Sequence, residues 1–161
     1  MSKQDINLEK TDLSIGIMAL TDCAPLVVAQ KLGYFKQYGL NVSLHVQPSW
    51  ATLRDRLQAD ILDAAQMLAP MPLASTLGLH GPAVPMISAF NLSMNGNGIT
   101  LSASLIKQIV ELNNGVIPPL PLNPKWLGKW LEMHGSKRKL TFAVVYPYSC
   151  HFYQLLDWLK Q

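Results

Sequence analysis

Apolar positions fall along the chain in short runs of two kinds. Residues 13–20 and 41–47 carry the continuous or alternating pattern of strands, and the runs 62–68, 85–92, 99–101 and 140–146 are also assigned as strands. Helices are expected at 25–33, 50–59, from around 70–72, and at 104–112, 124–133 and 150–160, of which 104–112 and 124–133 have amphipathic spacing. Pro25 suits a first helical turn, and Gly33 permits the left-handed turn that closes that helix. Ser49 and Ser149 stand where N-caps belong. Strands alternating with helices at these lengths predict βαβ units, hence an α/β fold with a largely parallel sheet. There is no internal repeat.

Charge changes that picture in one place. From Ala64 to Ile106 there is no Asp, Glu, Lys or Arg. Four prolines and the run Asn95-Gly-Asn-Gly98 break the stretch, so it is no membrane span; a buried central sheet with closely packed helices accounts for it, and part of it lining a cleft is the sharper alternative. Over all 161 residues, 49% are hydrophobic and 14% charged, against a usual charged share of about 25%, which excludes a disordered tail. A net charge of +3 is too mild for an electrostatic nucleic-acid binder, and Lys137-Arg-Lys139 marks a solvated turn. Cys23 and Cys150 stand far apart with no metal-ligand spacing, which indicates neither a zinc site nor a disulfide framework. No secretory signal precedes residue 13, so the chain as given is expected in the cytoplasm, or in the periplasm if its N-terminus has been trimmed. The final helix carries Leu155, Leu156, Trp158 and Leu159 with no later layer to cover them, the mark of an incomplete chain.

Three clusters bear a family likeness. Leu20-Thr-Asp-Cys-Ala-Pro-Leu-Val-Val-Ala29 leads into Gly33-Tyr-Phe35. Pro48-Ser-Trp-Ala-Thr-Leu-Arg-Asp55 precedes Leu62-Asp-Ala-Ala-Gln-Met-Leu-Ala-Pro-Met-Pro-Leu-Ala74. Asn95-Gly-Asn-Gly-Ile-Thr-Leu-Ser102 and Pro147-Tyr-Ser-Cys-His151 follow. From Leu13 onward the chain resembles the nitrate/nitrite and bicarbonate branch of the ABC-transporter substrate-binding proteins, a branch that includes cytoplasmic nitrate/nitrite sensors acting on an RNA-binding antiterminator. The resemblance implies a two-lobed clamshell of the type II periplasmic-binding-protein kind. Residues 13–102 would form most of lobe one and 103–161 the start of lobe two, with the rest of lobe two and the return segment missing.

The implied ligand is an oxyanion, nitrate or nitrite, and the implied partner is an ABC permease or an antiterminator-type regulator. No cofactor, metal, catalysis, membrane insertion or direct nucleic-acid contact is expected. Nitrate is flat and a weak acceptor, so it needs converging N–H donors and an apolar wall; the helix starts after Thr21, Ser49 and Ala69 supply donors at the carboxyl ends of strands. Taken alone, Trp50 would be a core aromatic, Asn97 a turn residue and His151 a structural histidine. The resemblance makes all three ligand contacts, with Thr21 a weaker candidate. It also implies a lysine from the later part of lobe two, for which no position exists before Gln161. Asp60 stands where the family has glycine, a departure of little expected consequence because Asp tolerates turn conformations. His45, His80 and His134 lack ligand spacing, and Met67, Met71, Met86 and Met94 are expected to be core filler. Bicarbonate is the alternative ligand, although that sub-branch also binds calcium and Asp22 is the one obvious carboxylate near the cleft. An enzyme like those of thiamine-pyrimidine synthesis would have to draw on Cys23, Cys150 and His151, and a dimerising half-clamshell would use Leu155, Trp158 and Leu159.

Overall fold

The structure, a computed structural model, describes residues 8–79, 81–94, 96–135, 137 and 139–161. The expectations placed on residues 1–7, His80, Asn95 and Arg138 lie outside it. The chain divides into two compact units, Met1–Asn95 and Gly96–Gln161.

The first unit is built on a three-stranded sheet of order β2-β1-β3, with β1 at Asp12–Ile17, β2 at Asn41–Val46 and β3 at Ala64–Ala65. Both pairings are parallel: Asp12 to Ile17 of β1 register with Asn41 to Val46, and Ile15-Gly16 register with Ala64-Ala65. Helices α1 (Ala24–Lys31) and α2 (Tyr34–Gln37) carry the chain from β1 to β2, and α3 (Trp50–Gln58) carries it from β2 to β3. Alternation along β1 decides which helix meets which face. Ile15, Ile17 and Val42 are buried against Leu26 and Val27 of α1 and Phe35 of α2. On the intervening position, Gly16 leaves room for Leu53 of α3 and for Leu62. Helix α4 (Pro70–Thr76) follows β3 and buries Met71 and Ala74. Asp60 sits in the turn after α3 at φ 55, a left-handed conformation that Asp accepts more readily than most residues.

The second unit packs α5 (Ala103–Leu112) against α6 (Lys125–His134). Leu105 and Ile109 of α5 meet Leu127 and Trp130 of α6, and Leu101, Leu140, Phe142 and Trp158 close around them. Ile109 and Trp130 are fully buried, each contributing about 1.5–3 kcal/mol by its removal from water. Trp130 Nε1 donates to Gln108 Oε1 at 3.0 Å, and the His134 ring stacks on Trp130 at 4.9 Å. Helix α7 (Cys150–Lys160) is fastened to the proline-rich linker by a 3.0 Å bond from Trp158 Nε1 to the Leu122 carbonyl.

The strand assignments need correction outside the first unit's sheet. Residues 85–92, 99–101 and 140–146 form no ladder, and the run 62–68 pairs only through Ala64–Ala65. In 85–92, proline removes a ladder donor and the apolar side chains face outward, with Ile87 at 96% exposure and Phe90 at 70%. In 140–146, Leu140 and Phe142 lie on the α5–α6 core, but the backbone has no strand beside it. The uncharged stretch is therefore not one buried sheet. Met71 is core, whereas Met94 is 81% exposed. No helix among the described residues is long and apolar enough to cross a membrane.

Candidate functional site

In the first unit the loops that follow the three strands open at one end of the sheet. Because β1 lies between β2 and β3, strand order reverses there, the position where open parallel sheets bind ligands. Two glutamines, each 3% exposed, order this end. Gln47, just past β2, donates its N–H to the Ile17 carbonyl at 2.9 Å, and its side chain bonds the His45 carbonyl and Arg56 Nη1, both at 3.1 Å. Gln66, just past β3, donates its N–H to the Gly16 carbonyl at 2.9 Å, and its Oε1 accepts from the Met18 N–H at 3.0 Å. Neither is singled out by the sequence. Their one signal is an amide directly after an apolar run, which on a sequence resembles an ordinary loop residue.

Thr21 opens a 3-10 turn, Thr21–Cys23, in the β1–α1 loop and is exposed. Trp50 is the first residue of α3, capped by Ser49 Oγ accepting from the Thr52 N–H at 3.0 Å. Trp50 is buried, at 7% exposure. The first unit thus carries Thr21 in a loop and Trp50 at a helix start, each following a strand at the same end of one sheet.

The second unit holds Asn97 and His151. Asn97 is exposed, and the residues that follow it, Gly98 to Ser102, form one wall of an open cavity of about 800 Å³. Residues 139 to 145 form the other wall, and Leu105, His151 and Leu155 complete the lining. The lining mixes polar and apolar surface in nearly equal measure. The amino-terminal turns of α5 and α7 both border this cavity, through Ser102 and His151, and bring the positive ends of two helix dipoles to it. Among the described residues, His151 Nδ1 is buried with no hydrogen-bond partner, and leaving such an atom unpaired costs about 1–3 kcal/mol. Lys139 is the charged residue of the lining, beside the neutral donors and helix dipoles of the α5 and α7 starts.

Cys23 belongs to the first unit and Cys150 to the second, both as free thiols. Among the described residues no group of three His, Cys, Asp or Glu is arranged to hold a metal ion. His45 is exposed on β2, and His134 is engaged with Trp130 through its ring and through Nδ1, 3.0 Å from the Trp130 carbonyl.

The sequence pattern of the NMT1-like family matches residues 7–161. The chain belongs to the NMT1-like family. This family member is 52% identical over 97 residues to the nitrate import ATP-binding protein NrtC of Synechocystis sp., a match covering 59% of this chain and 14% of that protein. It is 45% identical over 154 residues to the bicarbonate transport ATP-binding protein CmpC of Synechococcus elongatus, covering 94% of this chain and 21% of that one. To the nitrate/nitrite binding protein NrtA of Synechocystis sp. it is 39% identical over 159 residues, covering 85% of this chain and 36% of the relative. The crystal structure of the periplasmic nitrate-binding protein NrtA from Synechocystis superposes with a TM-score of 0.74 at 29% identity, over 94% of this chain and 38% of that one. The chain spans well under two thirds of each relative. Its fold is the α/β, parallel-sheet fold of a periplasmic binding protein.

Proposed function

We propose that this NMT1-like chain is part of a binding protein for a small planar oxyanion, nitrate or nitrite, whose closure on the anion is read by an ABC permease. The observation that carries the proposal is an open cavity lined by His151 and bordered by two helix starts. A flat, weakly accepting anion suits such a place, since an imidazole N–H and the amides of helix starts can donate to it beside apolar side chains. In this reading His151 donates one hydrogen bond, Asn97 adds a side-chain amide, Trp50 its indole N–H, and Thr21 a weaker contact. The likeness to the nitrate/nitrite binding protein supports it. No catalysis is proposed. If the protein works in the cytoplasm as a sensor, an antiterminator-type regulator replaces the permease.

The test is a titration with sodium nitrate followed by tryptophan fluorescence, on this chain and on the product of its full reading frame, with nitrite, bicarbonate and sulfate as controls. Saturable nitrate or nitrite binding by the longer protein is the expected result. Silence toward both in either protein rejects the proposal.

Bicarbonate is the second ligand reading, favoured by the 45% identity to the bicarbonate transport protein. A bicarbonate response dependent on calcium in the same titration would select it. Identities of 52% and 45% are to ATP-binding components, matched over a small share of their length. That favours a variant of the proposal in which the oxyanion module informs the importer's ATPase. Anion-dependent ATP hydrolysis by the assembled importer, absent when this module is deleted, is its signature.

A further inference from the structure

We propose that Ser149 is a positioning residue for His151, a step that rests on the oxyanion-binding reading above. Ser149 is fully buried and stands at the N-cap of α7 with extended backbone angles of φ −127 and ψ 153. Its hydroxyl makes two bonds in opposite directions. Oγ donates to the Tyr146 carbonyl at 2.7 Å and accepts from the Phe152 N–H at 3.1 Å.

The two partners belong to different parts of the cavity. Tyr146 follows directly on residues 139 to 145, which form one wall, while Phe152 lies in the first turn of the helix that carries His151. His151 lies in sequence between the hydroxyl and the amide it accepts from, so its Cα is held on both sides by one side chain. Among the described residues the imidazole spends no hydrogen bond of Nδ1 on the protein, so packing and the backbone beneath it set the bearing of the ring.

Comparison with the other serine caps among the described helices isolates this arrangement. Ser49 bonds the Thr52 N–H and hydroxyl, and Ser102 bonds the Leu105 N–H and the Ser104 hydroxyl, all within the first turn of their own helices. Ser149 alone of the three reaches back out of its helix. A cap whose sole task was to start α7 would need the acceptor half of that pair; the donated bond ties the helix start to the cavity wall.

The experiment uses the product of the full reading frame, with imidazole-¹⁵N histidine labelling and sodium nitrate as the probe. Ser149→Ala is expected to move the His151 ring signals and to weaken nitrate binding about tenfold, as loss of a well-aimed hydrogen bond to an anion does. Ser149→Thr keeps both bonds and is expected to restore ring signals and affinity together. Should the alanine variant not fold, Ser149→Cys, of similar size but a weak donor and acceptor, takes its place. Ring signals that stay at wild-type positions overturn the proposal, whatever happens to the melting temperature. Ring signals that move while affinity holds overturn it as well. If the wild-type protein binds neither nitrate, nitrite nor bicarbonate, the oxyanion reading falls, and with it Ser149's part in anion capture; the ring signals then still report whether Ser149 sets the imidazole.

Discussion

Asp63 and Ser14 are joined twice: Asp63 Oδ2 accepts from the Ser14 N–H at 2.8 Å, and the Asp63 N–H donates to the Ser14 carbonyl at 2.9 Å. The carboxylate thereby acts as one more rung beside the two-residue β3, and Lys10 bonds its other oxygen. The Lys10 hydrogen bond, and after it the Ser14 N–H, hold the Asp63 carboxyl below its ordinary value. A carboxylate depressed in the folded state stabilises fully above the unfolded value, near 4, and that contribution is lost as pH falls through the folded value. Denaturation midpoints of wild type and Asp63→Asn should therefore differ at pH 7 and converge as the pH is lowered through the depressed folded value. A gap that stays constant across that window would show that the charge plays no part.

Gly16 is expected to tolerate no side chain without cost. A Cβ there would lie 2.6 Å from Leu62 Cδ1 and 3.3 Å from Leu53 Cδ1. Gly16→Ala should destabilise the unit by about 1–3 kcal/mol, the range for overpacking, in chemical denaturation followed by circular dichroism. The lower end is expected because the nearer atom is the tip of a flexible leucine. Adding Leu62→Val should return part of the loss.

His151→Leu separates stability from binding. It removes a buried nitrogen that has no partner, so the variant should be as stable as wild type or about 1 kcal/mol more stable. Nitrate binding in the longer protein should fall by at least tenfold. A variant that is less stable yet binds normally would make His151 a structural residue.

Trp50 serves the core whatever else it does. At 7% exposure, Trp50→Ala should cost about 3–5 kcal/mol. Trp50→Phe keeps most of the packing and deletes the indole N–H, so it should fold and bind nitrate more weakly. Unchanged nitrate affinity in Trp50→Phe would leave the residue a core aromatic alone.

The helix starts were legible because a cap is a local event: Ser49 and Ser149 each accept from the N–H three residues on, as their positions foretold. The α/β class was legible for a related reason, since the spacing that makes a helix or a strand is written in consecutive residues. Residues 140–146 show where local pattern stops. The run is apolar, and Leu140 and Phe142 do pack on the core, yet a strand is defined by its neighbour and no neighbour is encoded in the run itself. Gln47 and Gln66 escaped notice for the opposite reason. Each is polar where the surroundings are apolar, and only the folded sheet shows that their amides complete the backbone bonding past the end of β1. Trp50 and His151 were picked out by resemblance, and by themselves would have been a core aromatic and a structural histidine. Spacing alone does not say that an imidazole nitrogen will be left without a partner.

The strand order β2-β1-β3 puts the earliest of the three strands in the middle of the sheet. All its pairings reach forward along the chain: Asp12 waits for Asn41, 29 residues on, and Ser14 for Asp63, 49 residues on. During translation, then, an apolar segment with two open edges leaves the ribosome before either of its partner strands. Closing such distant pairs is slow compared with forming the intervening helices. Until Ala65 has emerged, Ile15 and Ile17 remain open to the wrong neighbour, and the early life of this chain is a race between its own third strand and association with other chains.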